Sequence, residues 1–266
     1  MRKFPLLLLV APLALAACGG SSKVQADPLA YVKQSATKTA ALPSEHMVLS
    51  GNIAVGANKL TMSGSGDFAT ATKSGQMSMA VHGTGQTFQI KEVIDGTTVY
   101  VTAPMPLPHG KTWMKLDLQK AGSSIGLNYS SFLSEDPAQA LKQLLAAGSV
   151  KTVGAETIDG VATTHYQVTN LDISKMAQGE KLNALLHPKY GPIDVWVGNK
   201  DGYVYRESLS FSYTIAGQAA SMSMRIDLSN FGEKVNVTVP PASDVFDATS
   251  IATTTSTTMT VGGPNG

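Results

Sequence analysis

The chain has 266 residues, of which 20 are Lys or Arg and 19 are Asp or Glu, so its formal net charge is +1. Only 15% of the residues are charged and 43% are hydrophobic, which is apolar for a protein that faces water. The sequence shows no basic patch, which excludes a nucleic-acid partner. This composition calls for a large core or an apolar cavity, in one large domain or two small ones.

The N-terminus is typical of an exported lipoprotein. A basic start precedes the apolar run 4–14, which is too short to span a bilayer, and the lipobox 15–18 ends in Cys18. Cys18 is the only cysteine, so it has no internal disulfide partner. We therefore expect a signal peptide over 1–17 and lipidation of Cys18. An ordinary signal peptide whose cleavage site abuts a cysteine is the alternative.

Composition also predicts the order of segments after the signal peptide. Small polar residues indicate a flexible tether over 18–26, and Thr, Ser and Gly indicate a disordered tail over 248–266. The folded domain should occupy 27–247. Because no later stretch approaches about 18 continuous apolar residues, we expect lipid alone to anchor this domain to the extracytoplasmic face of the cell membrane.

Three helices are predicted within the folded domain. The first covers 27–41, where Asp27 can cap the helix and Pro28 suits its first turn. The others cover 136–148 and 172–186. In the first helix the apolar residues recur at three- and four-residue spacing: Leu29, Val32, Ala36 and Ala40.

Strand patterns dominate the rest of the domain. Alternation is clearest over 75–81 and 86–94, and the last predicted strand is 234–239. Three Asp-Gly pairs, the first at 95–96, indicate turns rather than catalytic carboxylates. About ten or eleven strands without strand–helix alternation predict an α+β fold, in which helices cover one face of an antiparallel sheet.

The sequence offers little catalytic or metal chemistry. Residues 122–126 match the nucleophile pattern G-x-S-x-G, but the following residues make a poor helix start and no acid–histidine pairing is evident. The five histidines lack ligand spacing, and His165 is interpreted as a sheet residue. We therefore expect no enzyme activity, no metal and no other cofactor.

Methionine is concentrated on the predicted strands. Its flexible, polarizable side chain suits surfaces that accept irregular apolar partners. Ordinary core packing is the better explanation for any single Met, so this pattern leaves a lipid cavity and a packed core both open. The strand methionines, several of which share a face, are Met47, Met62, Met77, Met79, Met114, Met222 and Met224.

Five segments, in order along the domain, resemble the LppX/LprAFG lipoproteins of mycobacteria and their actinobacterial relatives. None is diagnostic alone, and the region 103–132 departs most from the family pattern, which leaves room for a different entrance and a different lipid. The segments are His46–Ile53, Ser63–Phe68, Val93–Val101, Gly191–Val197 and Ser229–Pro241.

The resemblance implies a curved antiparallel half-barrel with helices across its concave face, like the LolA and LolB carriers. It implies an apolar cavity for acyl chains, and the segment 76–81 corresponds to a family strand that lines this cavity. Alternation and helix faces then predict the lining residues, subject to strand register: Met62, Met77, Met79, Val81, Phe88, Ile90, Val99, Leu141, Leu144, Leu145, Met222 and Met224.

The resemblance thus predicts a monomeric envelope lipoprotein that binds acyl lipids or glycolipids and carries them across the cell envelope. A lipid exporter or an acceptor protein would be its further partner. The alternative is a sensor or scaffold lipoprotein of the same fold that binds a protein partner, as the related regulator RseB does.

Overall fold

A computed structural model describes residues 27–83, 85–102, 106–120, 145, 148–171, 188–215 and 217–249, and the structural statements below concern these residues. The predicted signal peptide, Cys18 and the tether lie outside them. The 122–126 pattern, most of the second predicted helix, the whole third predicted helix and the predicted tail beyond residue 249 also lie outside.

The described elements are one α-helix, α1 (Pro28–Ala40), two single-turn 3-10 helices and thirteen strands. The strands are β1 (Ser44–Val55), β2 (Asn58–Ala69), β3 (Ser74–Gly83), β4 (Gln86–Asp95), β5 (Thr98–Thr102), β6 (Trp113–Asp117), β7 (Ser149–Ile158), β8 (Val161–Thr169), β9 (Lys189–Tyr190), β10 (Ile193–Gly198), β11 (Val204–Ile215), β12 (Gln218–Ser229) and β13 (Val245–Asp247).

All of these strands belong to one open, curved sheet. β1 to β6 form an antiparallel meander in which each strand pairs with the next. In the second half β7 pairs with β8, β8 with β10, β10 with β11, and β11 with β12, again antiparallel. β12 joins the halves by pairing with β1. The predicted antiparallel, mostly-sheet architecture is therefore confirmed.

Side chains alternate between the two faces of this sheet. We call the face that α1 covers in part the apolar face, and the opposite one the polar face. Register ties the apolar face together across strands: Met224 lies opposite Gly51, Gly51 opposite Met62, Met62 opposite Val81, and Val81 opposite Phe88.

Helix α1 forms much as its sequence predicts. The Asp27 carboxylate accepts a hydrogen bond from the Ala30 backbone N–H at 3.1 Å, and Pro28 occupies the first turn. Val32 and Ala36 are fully buried against the β8, β10 and β11 side of the sheet. The helix therefore covers part of the apolar face in the second half of the sheet.

One hydroxyl fastens α1 to the sheet. Thr39 is buried, and its Oγ1 accepts a hydrogen bond from the Val204 backbone N–H at 2.9 Å while donating to the Ser35 carbonyl. Thr39→Val keeps the shape of the side chain but leaves the buried Val204 N–H without a hydrogen-bond acceptor. We therefore expect it to lower the free energy of unfolding by about 1–3 kcal/mol. Urea denaturation measures this loss. Thr37→Val, which removes only a local bond to the Lys33 carbonyl on the exposed side, should change stability by less than about 0.5 kcal/mol.

Two of the sequence predictions about strands are wrong in detail. The predicted strand 234–239 is not a strand in the structure. A turn with positive φ at Asn230 and Gly232 precedes this segment. Two prolines, which have no backbone N–H to donate, follow it. The strand count is thirteen instead of ten or eleven, partly because β9 and β13 have only two and three residues. Such strands are too short to show alternation.

The Asp-Gly pairs form turns, though not all of one kind. Asp159 and Gly160 both have positive φ, 48° and 84°, between the paired residues Ile158 and Val161. This is the geometry of a type I′ hairpin. At the β4–β5 turn Asp95 belongs to the strand, and Gly96 takes the positive φ of 61° at the first loop position. Glycine can adopt this conformation without steric cost.

Candidate functional site

The predicted lining residues on the strands all lie on the apolar face. Met77 and Met79 lie opposite Gly66 and Gly64 of β2, and Met222 lies opposite Ile53 of β1. Leu145 is 1% exposed and belongs to the cluster around α1, whereas Leu141 and Leu144 lie outside the described residues. The register therefore brings together nine of the twelve: Met62, Met77, Met79, Val81, Phe88, Ile90, Val99, Met222 and Met224.

Exposure varies along this face. At the end near the β4–β5 turn, Ile94, Val99 and Leu118 form a buried cluster, so Val99, at 7% exposed, is core there. Towards the other end of β4, Phe88 is 38% exposed. Met62, Met79, Val81, Ile90, Met222 and Met224 are each half-buried. The face is thus packed at one end and accessible at the other.

Glycines on the apolar face make room for the methionines. A Cβ added at Gly64 would lie 2.7 Å from the Met79 Cγ, and one at Gly51 would lie 3.1 Å from the Met62 Cγ. Each methionine therefore lies across the glycine on the neighbouring strand. Unbranched side chains lying over bare backbone form a low, deformable surface rather than an interlocked core.

Carboxyl groups interrupt this apolar face. Register puts Glu45, Glu92 and Glu207 on it, and no Lys or Arg of the described strands lies there. Glu92 lies opposite Met77 on one side and Val101 on the other, and burial raises the pKa of its carboxyl. The sequence analysis missed Glu92, although the alternation of Phe88 and Ile90 could have found it.

The shift at Glu92 predicts an unusual pH dependence. A folded-state pKa above the ordinary 4.5 means that ionisation opposes folding, so stability falls as pH rises through the window above 4.5. Glu92→Gln should therefore raise the urea midpoint at pH 7, and the gain should shrink as pH approaches 4.5.

Glu156 serves as a control of opposite sign. Hydrogen bonds from Trp196 and then His165 lower the pKa of its carboxyl, so its ionised form supports folding at neutral pH. Glu156→Gln should lower the midpoint at pH 7, and this loss should vanish in acid. A Glu92→Gln variant less stable than the wild type at pH 7 would contradict the assignment.

The polar face carries a hydrogen-bonded cluster on the second half of the sheet. His165 contacts the Glu156 carboxylate at 2.9 Å and the Asp194 carboxylate at 2.8 Å, and its ring stacks on Trp196 at 4.3 Å. The Trp196 indole donates to Glu156 at 2.7 Å. Each polar group thus has a partner within the sheet, which agrees with the interpretation of His165 as a sheet residue.

Two grooves lie among the described residues. One, of about 360 Å³, is lined chiefly by polar-face residues such as Ser50 and Ser223, and Met62 and Met224 also line it. The other, of about 300 Å³, lies beside the His46–Asp67 pair. Neither is an apolar chamber. In the part of the chain that the structure describes, the methionines form an accessible surface instead of the lining of a closed cavity.

The described residues hold no group of three or more His, Cys, Asp or Glu placed to bind a metal ion. No helix among them has the length and apolar character to cross a membrane.

Comparison with known proteins identifies the family. The sequence model of the LppX_LprAFG lipoprotein family matches residues 27–237. The chain belongs to this family. The resemblance carried by the five segments is thereby confirmed, and membership in a family of lipoproteins implies association with a membrane.

Two curated relatives come from Streptomyces. An uncharacterized 31.2 kDa protein of Streptomyces griseus, from the rplA–rplJ intergenic region, is 31% identical over 153 residues, which cover 52% of this chain and 48% of that protein. A Streptomyces coelicolor protein described provisionally as a lipoprotein is 27% identical over 142 residues, covering 52% and 43%. The matches thus span less than half the length of either relative.

Solved structures of the LppX/LprAFG family are also similar. The crystal structure of lipoprotein LppX from Mycobacterium tuberculosis matches 79% of this chain and 97% of its own, at 18% identity and a TM-score of 0.48. LprF from Mycobacterium bovis matches 81% and 97%, at 16% identity and a TM-score of 0.46.

Proposed function

We propose that this LppX/LprAFG member binds acyl lipids or glycolipids on its apolar face and carries them across the cell envelope. The observation that supports this most is the run of apolar residues joined by register across five neighbouring strands, β12, β1, β2, β3 and β4, with half-buried methionines on β12, β2 and β3. A surface of this size and flexibility is costly to leave in water, and contiguous exposed apolar patches of this kind mark binding sites.

Acyl chains are the chemistry that fits this surface. Each methylene removed from water contributes about 0.8 kcal/mol, so a chain laid over several methionines gains affinity without a specific polar contact. Flexible thioethers adjust to kinks and branches. The predicted helix that carries Leu141, Leu144 and Leu145 would control loading and release.

The anchor would set where the site works. Lipidation at Cys18 would hold the domain at the extracytoplasmic surface, and the tether 18–26 would have a root-mean-square reach of about 15–18 Å. The apolar face would then collect lipid from the outer leaflet. An exporter or an acceptor protein would act at either end of this transfer.

A vesicle assay separates a carrier from a sensor. Donor vesicles containing a pyrene-labelled diacylglycerol are mixed with unlabelled acceptor vesicles and the processed chain 18–266 carrying Cys18→Ser. If the protein carries lipid between membranes, the transfer rate should rise linearly with protein concentration. Lipid capture without delivery to acceptors would contradict transport and favour the sensor or scaffold alternative.

A further inference from the structure

The charged groups of the apolar face share one sign. The only charged side chains that the described strands place on this face are those of Glu45, Glu92 and Glu207, whereas neighbouring basic residues such as Lys91 and Arg225 point to the polar face. An anionic ligand group placed on the apolar face would lie near negative charge without a compensating cation from the same strands. The apolar face therefore disfavours anionic ligand groups.

Glu92 differs from the other two carboxyls. Glu45 and Glu207 are 3% and 4% exposed, and both have interactions of their own. Glu92 is half-buried, and no hydrogen bond or ion pair of its carboxyl is found within the described part of the chain. Its carboxyl is therefore available to a ligand.

The position of Glu92 suits contact with a bound lipid. Along β4 it lies between Ile90, on the accessible part of the face, and Ile94, in the buried end cluster. Across the strands it faces Met77 and Val101. A chain lying over Met79 and Ile90 would therefore bring its next group to this carboxyl. Burial raises the pKa of this carboxyl, which reflects the cost of leaving it here without a donor.

We propose that Glu92 determines lipid specificity by accepting a hydrogen bond from an uncharged hydroxyl-bearing group of the lipid and by repelling anionic groups. The proposal rests on the proposed function and adds to it the class of lipid. A hydroxyl donor supplies the missing partner of the carboxyl, whereas a carboxylate or phosphate adds unpaired negative charge in a poorly solvated place. Neutral glycolipids and acylglycerols are the ligand class that follows.

The test uses two lipids with the same acyl chain, glycerol monooleate and oleate, which displace the neutral dye Nile red from the processed chain 18–266 carrying Cys18→Ser. At neutral pH the protein with wild-type Glu92 should bind glycerol monooleate with about tenfold higher affinity than oleate, the effect of one charge-assisted contact. Glu92→Gln retains an acceptor but removes the charge, so oleate affinity should rise by about tenfold while monooleate affinity stays within about threefold. Glu92→Leu should weaken monooleate binding by about tenfold.

Glu233→Gln is the matched control. This substitution removes the same charge from an exposed position outside the sheet and should leave both affinities unchanged. If both lipids bind but their ratio is unaffected by Glu92→Gln and Glu92→Leu, the role of Glu92 is overturned while the proposed function stands. If the protein with wild-type Glu92 binds neither Nile red nor either lipid, the proposed function itself fails, and this inference fails with it.

Discussion

Met79→Trp should lower the affinity for an acyl-chain probe by at least about tenfold without unfolding the domain. Met79 is half-buried near the centre of the apolar face, opposite Gly64 on one side and Ile90 on the other. A rigid indole there would occupy the surface that an acyl chain needs. Displacing two methylenes costs about 1.6 kcal/mol, which exceeds the 1.4 kcal/mol of a tenfold change. Titration with Nile red measures the effect.

Ser78→Trp is the control for this substitution. Ser78 is the preceding residue of the same strand, is exposed and points to the polar face, so the same bulk is added where no acyl chain should lie. Its affinity should equal that of the wild type. Equal loss in both variants would indicate damage to the strand, and equal retention would contradict binding on the methionine surface.

Gly66→Ala should lower the free energy of unfolding by about 3 kcal/mol or more. An added Cβ would lie 2.3 Å from the Gln76 carbonyl oxygen and 2.9 Å from the Met77 Cα. Both are backbone atoms of β3, so the clash cannot be relieved by a side-chain rotation. β2 and β3 would have to move apart at the Gly66–Met77 pair. Urea denaturation followed by circular dichroism measures the loss.

Gly154→Ala makes the same chemical change in an unobstructed place. Gly154 lies next to the irregularity in the β7–β8 pairing, and an added Cβ there meets no atom within 4 Å. Restricting the unfolded chain should make this variant neutral or more stable by about 0.4–1 kcal/mol. If Gly66→Ala proved as stable as Gly154→Ala, the close approach of β2 and β3 would be wrong.

Local patterns predicted a large part of the fold. Asp27 and Pro28 placed the start of α1 to within a residue, because capping and proline geometry act over a few neighbouring residues. Alternation over 75–81 placed Met77 and Met79 on one face, because a strand whose neighbours are joined by short turns has its parity set locally.

The remaining features depend on contacts distant in sequence. β13 lies beside β6 in parallel, joining Val245 to Trp113, and three residues carry no periodicity from which to predict such a pairing. Val99 was predicted as lining, yet Leu118 buries it within an end cluster. Composition and alternation cannot distinguish an apolar residue that contacts protein from one that is left accessible.

The most direct test of lipid binding is native mass spectrometry of the processed chain with Cys18→Ser, secreted from a lipid-rich actinobacterial host. We expect a non-covalent acyl-lipid adduct at one or a few defined masses, retained by Ser78→Trp and lost or strongly reduced in Met79→Trp. A wild-type protein that yields only the ligand-free mass, and takes up no lipid from an extract of the host membranes, would contradict lipid binding.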